Sequence, residues 1–383
     1  MKFIVNSQQL LKQLQSLSGV LSNNNTMPII NCFHFHLEEN SLRIKTTDLS
    51  TTITATMPVE TGHMDAPEEV AIPSKMLLDM VKSFTDVPLT FSVDPSTFSI
   101  LVTTDGGEYN LAGLDADTYP ETPTPEDTTP LIMNGDALVT SINKTYFATS
   151  NDDMHQQMSG ILCEIGAEGL TFVATDAHKL VRYIRKDVSS DKEASFILPK
   201  KPITIVKDIL STRKEDTEVK LEYNSTNLAI TFDNIYVICR LVDGRYPNYN
   251  AAIPKDNPNK LIIDRQSFLT ALRRVAIFSS EATRQVRLSL SANQVNISAE
   301  NLEFSNKAHE NIPCQYEGDA MDIGFNAKFL TEMVGNIDSE QVLMEMSHPS
   351  RAGIIFPYEE STEEGKENVD SLLMLVMPVM LAN

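Results

Sequence analysis

The sequence predicts an α+β protein built from three tandem copies of one helix-and-sheet domain, at 1–128, 129–255 and 256–383. Three observations predict it. A strand pattern returns three times at a spacing of about 126 residues, and a helix start returns at the same spacing. Basic residues are also concentrated in the helical segments of an otherwise acidic chain. A unit of that length exceeds the 20–50 residues of a solenoid repeat and suffices to bury its own core.

The strand pattern occupies 42–48, 170–176 and 294–300, ending on Asp48, Asp176 and Glu300. Each copy alternates apolar and polar residues, as a half-buried strand does. The helix start falls at Pro73, Pro199 and Asn326, and proline is tolerated at the beginning of a helix. Apolar residues then recur at helical spacing: Leu77, Val81 and Phe84; Ile203, Val206 and Leu210; Leu330, Val334 and Ile337. Two further strand-like runs follow each helix, at 89–93 with 99–102, 219–223 with 228–232, and 342–346 with 353–356. The first two copies close alike, on Leu114 with Tyr119-Pro120 and Leu241 with Tyr246-Pro247. An additional helix opens each unit, the third with Asp264 as its N-cap. The stretches near 125–132 and 250–258, rich in Pro, Asp, Asn or Thr, read as linkers.

The net charge of −21 argues against a nucleic-acid partner unless the charges are segregated. They are. The helix windows 7–18, 73–85, 135–149, 199–213, 264–279 and 326–336 hold twelve basic and five acidic side chains; the rest of the chain holds nineteen and forty-seven. A face built from helices would be positive on a negative body. The competing reading is that lysines decorate solvated helix faces.

Secretion, membrane insertion and catalysis find no support. The start Met1-Lys2-Phe3-Ile4-Val5-Asn6 lacks a signal peptide's apolar stretch, and no apolar run approaches the roughly 18 residues of a membrane span, so a cytoplasmic protein without membrane partners is expected. Cys32, Cys163, Cys239 and Cys314 stand far apart and read as reduced core residues. No cofactor or metal motif occurs, and Asp176 with His178 lacks a nucleophile in an elbow.

Several segments, in order, carry a resemblance: 174–180 (Ala-Thr-Asp-Ala-His-Lys-Leu), 241–249 (Leu-Val-Asp-Gly-Arg-Tyr-Pro-Asn-Tyr), 323–326 (Ile-Gly-Phe-Asn) and the tail at 377–381. With them the chain resembles, over essentially its whole length, the bacterial replicative sliding clamp, the beta subunit of DNA polymerase III. The resemblance implies a homodimer of three-domain protomers joined head to tail. Helices would line the hole of the ring and sheets would stand outside. Double-stranded DNA would be encircled without regard to sequence. The replicative polymerase, the clamp loader, and repair polymerases and mismatch-repair proteins would dock through short peptide motifs. The alternative is a peptide-binding scaffold that never meets DNA.

The family reading assigns residues. A peptide groove would comprise Met158, Thr175, His178, Lys179, Leu180, Pro247, Met377, Pro378 and Val379. Phosphate contacts would come from Lys12, Lys75, Lys200, Lys201, Arg273 and Arg274. Tyr109 and Leu111 on one strand would meet Ile277 and Phe278 across the dimer joint. Without the resemblance, the apolar run 372–381 reads as a plain edge strand capped by Pro378. The chain departs from the family at Asn23-Asn24-Asn25, at 152–157, in an acidic insert at 357–371 expected to form a hairpin tip, and at Met380, where other members carry a basic residue.

Overall fold

The computed structural model describes residues 1–21, 26–62, 68–359 and 369–381. The asparagine run at 23–25 and most of the acidic insert lie outside the described residues. Six α-helices occur among those described: α1 Ser7–Leu17, α2 Ser74–Lys82, α3 Gly135–Tyr146, α4 Lys200–Leu210, α5 Arg265–Ala276 and α6 Ala327–Gly335. Each lies inside its predicted window. The repeated helix start proves to be the cap residue, one position before the helix proper. Pro73 and Pro199 cap by backbone shape alone, whereas Asn326 accepts from Lys328 N and Phe329 N. Asp264 caps α5 as expected, accepting from Ser267 N. No helix among the described residues is long and apolar enough to cross a membrane.

Contacts group the chain into two compact units, 1–139 with 199–241 and 140–198 with 242–383. The middle third therefore contributes to both, and the reason lies in the sheets. The first unit holds an eight-stranded antiparallel sheet ordered Thr129–Asn134, Glu218–Tyr223, Asn227–Phe232, Ile235–Arg240, Thr51–Pro58, Ser41–Thr47, Cys32–Glu38 and Glu68–Pro73. Its five-stranded companion ends on Gly107–Ala112. The second unit holds a nine-stranded sheet in which Lys179–Arg185 pairs with Asp370–Val376. Its four-stranded companion ends on Asn306–Pro313.

The cores follow from the alternation. In the first unit Leu10, Leu14 and Leu17 of α1 are wholly buried, and Phe3 stacks on Phe91 with ring centroids 4.9 Å apart. In the second unit Leu180, Leu373 and Leu375 pack with Leu162, Val173 and Tyr246, so the junction of the two repeats is itself core. Cys32, Cys163 and Cys239 are buried free thiols, and burial pushes Cys163 up to about 12.

One expectation is corrected. The apolar C-terminal run is not an edge strand: Asp370–Val376 lies between Lys179–Arg185 and Gly353–Tyr358 and is paired on both sides. Burial is unbroken from Leu372 to Val376, so both faces of the strand are covered, which is why the run is continuous rather than alternating. Pro378 follows the strand, where its missing N–H costs no ladder bond.

The same closing bond occurs three times. Leu114 N donates to Ala71 O at 2.8 Å, Val242 N to Ile197 O at 3.0 Å, and Val379 N to Gly324 O at 2.8 Å. Each acceptor stands two residues before the helix cap. The three copies thus close on the same backbone bond.

His34 makes the fold pH-sensitive. It is buried in the eight-stranded sheet with Nε2 3.1 Å from Glu69, its ring against Tyr119, and Lys45 and His36 nearby. Burial, then Lys45, push its imidazole down to about 4 against the upward pull of Glu69. An unfolded histidine titrates near 6.5, so on acidification the unfolded chain takes the proton first. The stability that neutral His34 provides is complete above that value and is lost as pH falls towards 4. We expect the wild-type chain to lose about 2 kcal/mol through this group between pH 7 and pH 5. His34→Gln should lack that share of the loss in urea titrations at the two pH values; equal losses would refute the assignment.

Candidate functional site

The segment 174–180 forms a strand, a tight turn and a second strand. Asp176 Oδ1 accepts from His178 N and Lys179 N, both at 2.9 Å, so its carboxylate holds the turn. Thr175 Oγ1 donates to Lys179 O at 2.7 Å, and Ala177 is held at φ 72°. Thr175 N donates to Tyr246 Oη at 3.1 Å, which ties down the loop carrying Pro247. The chain's tail joins the turn: Met377 N donates to His178 O at 2.9 Å. Eight of the nine predicted groove residues, all but Met158, are therefore connected through one turn, one loop and one tail.

Their exposures divide them. His178, Pro247 and Met377 are exposed, while Pro378 and Val379 are half-buried. Met158, Thr175, Lys179 and Leu180 are buried beneath them. Lys179 is the unusual member. Its ammonium pairs with Glu332 of α6 and lies 5.2 Å from the Phe329 ring and 5.6 Å from that of Phe147. A buried charge needs such a partner. His178 stacks on the same Phe329 at 6.0 Å. Sequence reading missed Phe329, Phe147 and Glu332 as supports of the groove. Phe329 was visible only as a periodic helix residue, and its second role depends on a strand 150 positions earlier. Met380 is 75% exposed and extends the apolar margin in place of a cation.

Among the helix-borne cations, Lys12, Lys75, Lys201, Arg273 and Arg274 are exposed and Lys200 is half-buried. Charge counting treated them alike, but the structure does not. Lys201 Nζ lies 2.6 Å from Asp48 Oδ2 and also donates to Val20 O. Arg274 forms a two-bond fork with Glu310, through Nε at 2.7 Å and a terminal nitrogen. The Glu310 carboxyl is lowered chiefly by that hydrogen bond. Both carboxylates sit at strand or turn positions outside the helix windows, so a helix-only tally overlooks them. The predicted joint residues are also placed: Tyr109 meets Phe84 edge to face at 5.1 Å on an edge strand, and Ile277 and Phe278 follow α5, 78% and 39% exposed.

Three family models match in succession: the N-terminal domain of the DNA polymerase III beta subunit at 1–123, its central domain at 132–248 and its C-terminal domain at 250–367. The chain belongs to the DNA polymerase III beta subunit family. Among curated relatives, the beta sliding clamp of Proteus mirabilis is 30% identical, covering 89% of this chain and 92% of its own. That of Vibrio cholerae is 27% identical over the full length of both. A crystallised sliding clamp from Pseudomonas aeruginosa, bound to griselimycin, is 27% identical and superposes with a TM-score of 0.91 over all of both chains. In this beta-subunit family the Lys201–Asp48 and Arg274–Glu310 pairs bear on the expected phosphate contacts, because a cation already neutralised would release fewer counterions on meeting phosphate.

Releasing those cations should strengthen DNA retention. For Asp48→Asn combined with Glu310→Gln, we expect tighter holding of nicked circular DNA and a salt slope steeper by about one for each freed cation. An unchanged slope would mean that Lys201 and Arg274 do not face phosphate.

Proposed function

We propose that two copies of this chain close head to tail into a ring around duplex DNA and hold the replicative polymerase there. The work is topological: no bond is made or broken, and weak, sequence-blind phosphate contacts by Lys12, Lys75, Lys200, Lys201, Arg273 and Arg274 let the ring slide. The domains are taken as 1–128, 129–255 and 256–383.

One observation carries the ring. Within the chain, two repeat junctions are continuous antiparallel sheet, and they use equivalent strands in equivalent register. Cys239 stands opposite Thr51, and Val376 opposite Lys179. Arg240 N donates to Ser50 O and Met377 N to His178 O, both at 2.9 Å. Thr51–Pro58 and Lys179–Arg185 correspond to Asn306–Pro313 in the third repeat, since each is the hairpin partner of the repeated strand. Ile235–Arg240 and Asp370–Val376 correspond to Gly107–Ala112, because Cys239, Val376 and Leu111 each stand three residues before the closing donors Val242, Val379 and Leu114. Among the described residues, these remaining two strands are the unpaired ends of their sheets. An open edge seeks a partner strand, and a second copy supplies it. Carrying the register over puts Leu111 opposite Lys307, Asn110 opposite Ala308 and Tyr109 opposite His309 across the joint. Ile277 and Phe278 then cover it.

The groove is read as the docking site. Exposed His178, Pro247 and Met377 over a buried apolar floor suit an extended peptide with one or two large apolar side chains. The clamp loader, repair polymerases and mismatch-repair proteins are its further proposed users, with two sites per dimer adding avidity.

Two measurements test these readings. Asn110→Cys with Ala308→Cys should cross-link the dimer under mild oxidation, while Asn110→Cys with Asn311→Cys should not; the reverse outcome would overturn the register. Deleting 377–383 should abolish binding of a fluorescent polymerase-derived peptide and leave the dimer intact. Equal affinity would place docking elsewhere. A monomer that ignores DNA would favour a scaffold of another kind.

A further inference from the structure

The junctions differ in one respect that the repeat makes measurable. Two residues, 49–50, separate Asp48 from Thr51 beside the first junction and two, 177–178, separate Asp176 from Lys179 beside the second, whereas six, 301–306, separate the equivalent Glu300 and Lys307, with Asn301 paired to Asn306 and the tip at 302–305. This longer turn presents Leu302 and Phe304, 80% and 70% exposed. Two large apolar side chains at one hairpin tip, flanked by Glu303 and Ser305, have no role within their own sheet.

The equivalences say what lies opposite. Beside the turn at 177–178 stand Met377, Pro378 and Val379; their counterparts in the first repeat are Ala112, Gly113 and Leu114. Ala112 is exposed, and Leu114 is 42% exposed. Gly113 has no room for a side chain, because an added Cβ would lie 2.6 Å from Phe98 O and 2.9 Å from Val70 Cγ2. Where the second junction offers bulky walls, the first repeat offers a shallow place bordered by one apolar residue.

We infer that Leu302 and Phe304 of one copy seat on Ala112, Gly113 and Leu114 of a second copy, filling from within the place that at the second junction is left open as the peptide groove. The inference rests on the edge-to-edge dimer proposed above. Large side chains on one partner meet small ones on the other, and the contact continues the strand pairing without a break. It gives the third junction an apolar anchor beyond Ile277 and Phe278, and it keeps the equivalent groove there from accepting peptides.

Sedimentation equilibrium across a dilution series tests it. Leu302→Ser with Phe304→Ser should raise the dimer dissociation constant about tenfold or more, as loss of buried apolar anchors does, with the thermal melt of the chain preserved. Ala112→Glu, placed on the receiving side, should weaken the dimer likewise. An unchanged constant in both variants, while Ile277→Ala with Phe278→Ala yields monomer, would overturn the tip contact and leave the edge pairing standing. If the Ile277 and Phe278 variant also stays dimeric and the cysteine pair fails to cross-link, the edge pairing itself falls. Loss of peptide binding by the tip variant with an undisturbed dimer would likewise overturn it, assigning the tip to another partner.

Discussion

Everything in this molecule follows from the need to satisfy the backbone of a strand at the end of each repeat. A lone repeat would leave a row of N–H and C=O groups open on both flanks, and such rows are costly when buried and sticky when not. The chain answers by running each repeat's sheet into the next. Ile235–Arg240 accepts Thr51–Pro58 as its neighbour, and Lys179–Arg185 accepts Asp370–Val376. The middle repeat is consequently shared between two compact units rather than forming one of its own. Main-chain bonds carry no sequence preference, so this arrangement tolerates the divergence among the three copies while the register persists. A row of repeats joined this way ends with one unmatched strand of each kind, and a second chain can supply the partner of both.

Electrostatics is layered on that frame. A net charge of −21 would repel DNA if it were spread evenly. Concentrating twelve cations in the helix windows gives the protein a local exception, yet Lys144, Lys201, Lys207, Arg213, Arg274 and Lys328 stand in ion pairs. Such restraint suits a protein that must move along its ligand. Tight phosphate contacts would add affinity and with it friction, while a closed ring retains DNA without either.

The periodic features were legible in the sequence because each is local. Helix windows, the Asp264 cap and the strand alternation each lie within a few turns of chain, and the repeat shows when such local segments are compared. What stayed hidden is whatever depends on strands far apart meeting. The tail looked like an edge strand because an unbroken apolar run can equally be a strand paired on both sides, and only the register with Lys179–Arg185 separates the two. Lys179 was assigned to the groove without the Glu332, Phe147 and Phe329 that enclose it. The excess of basic residues on helices overstated the available charge, since the neutralising carboxylates come from other segments.

The same dependence explains why the candidate groove belongs to a junction and not to a domain. Its turn comes from the second repeat, its tail from the third, and the bond from Met377 N to His178 O exists only because the two sheets are continuous. A groove made in this way is preorganised by the ladder beneath it, so a peptide that enters need order only itself. It also follows that each junction is a potential copy of the site, and that what distinguishes them is the size of the residues at the turn and after the last strand. At the second junction these leave Met377 exposed, with Pro378 and Val379 half-buried beside it. At the joint proposed to close the dimer, Ala112 and Gly113 are small, and the tip proposed to face them carries Leu302 and Phe304. On that proposal, divergence of the repeats at these few positions turns one junction into a receptor and another into a seal while the strand register is kept.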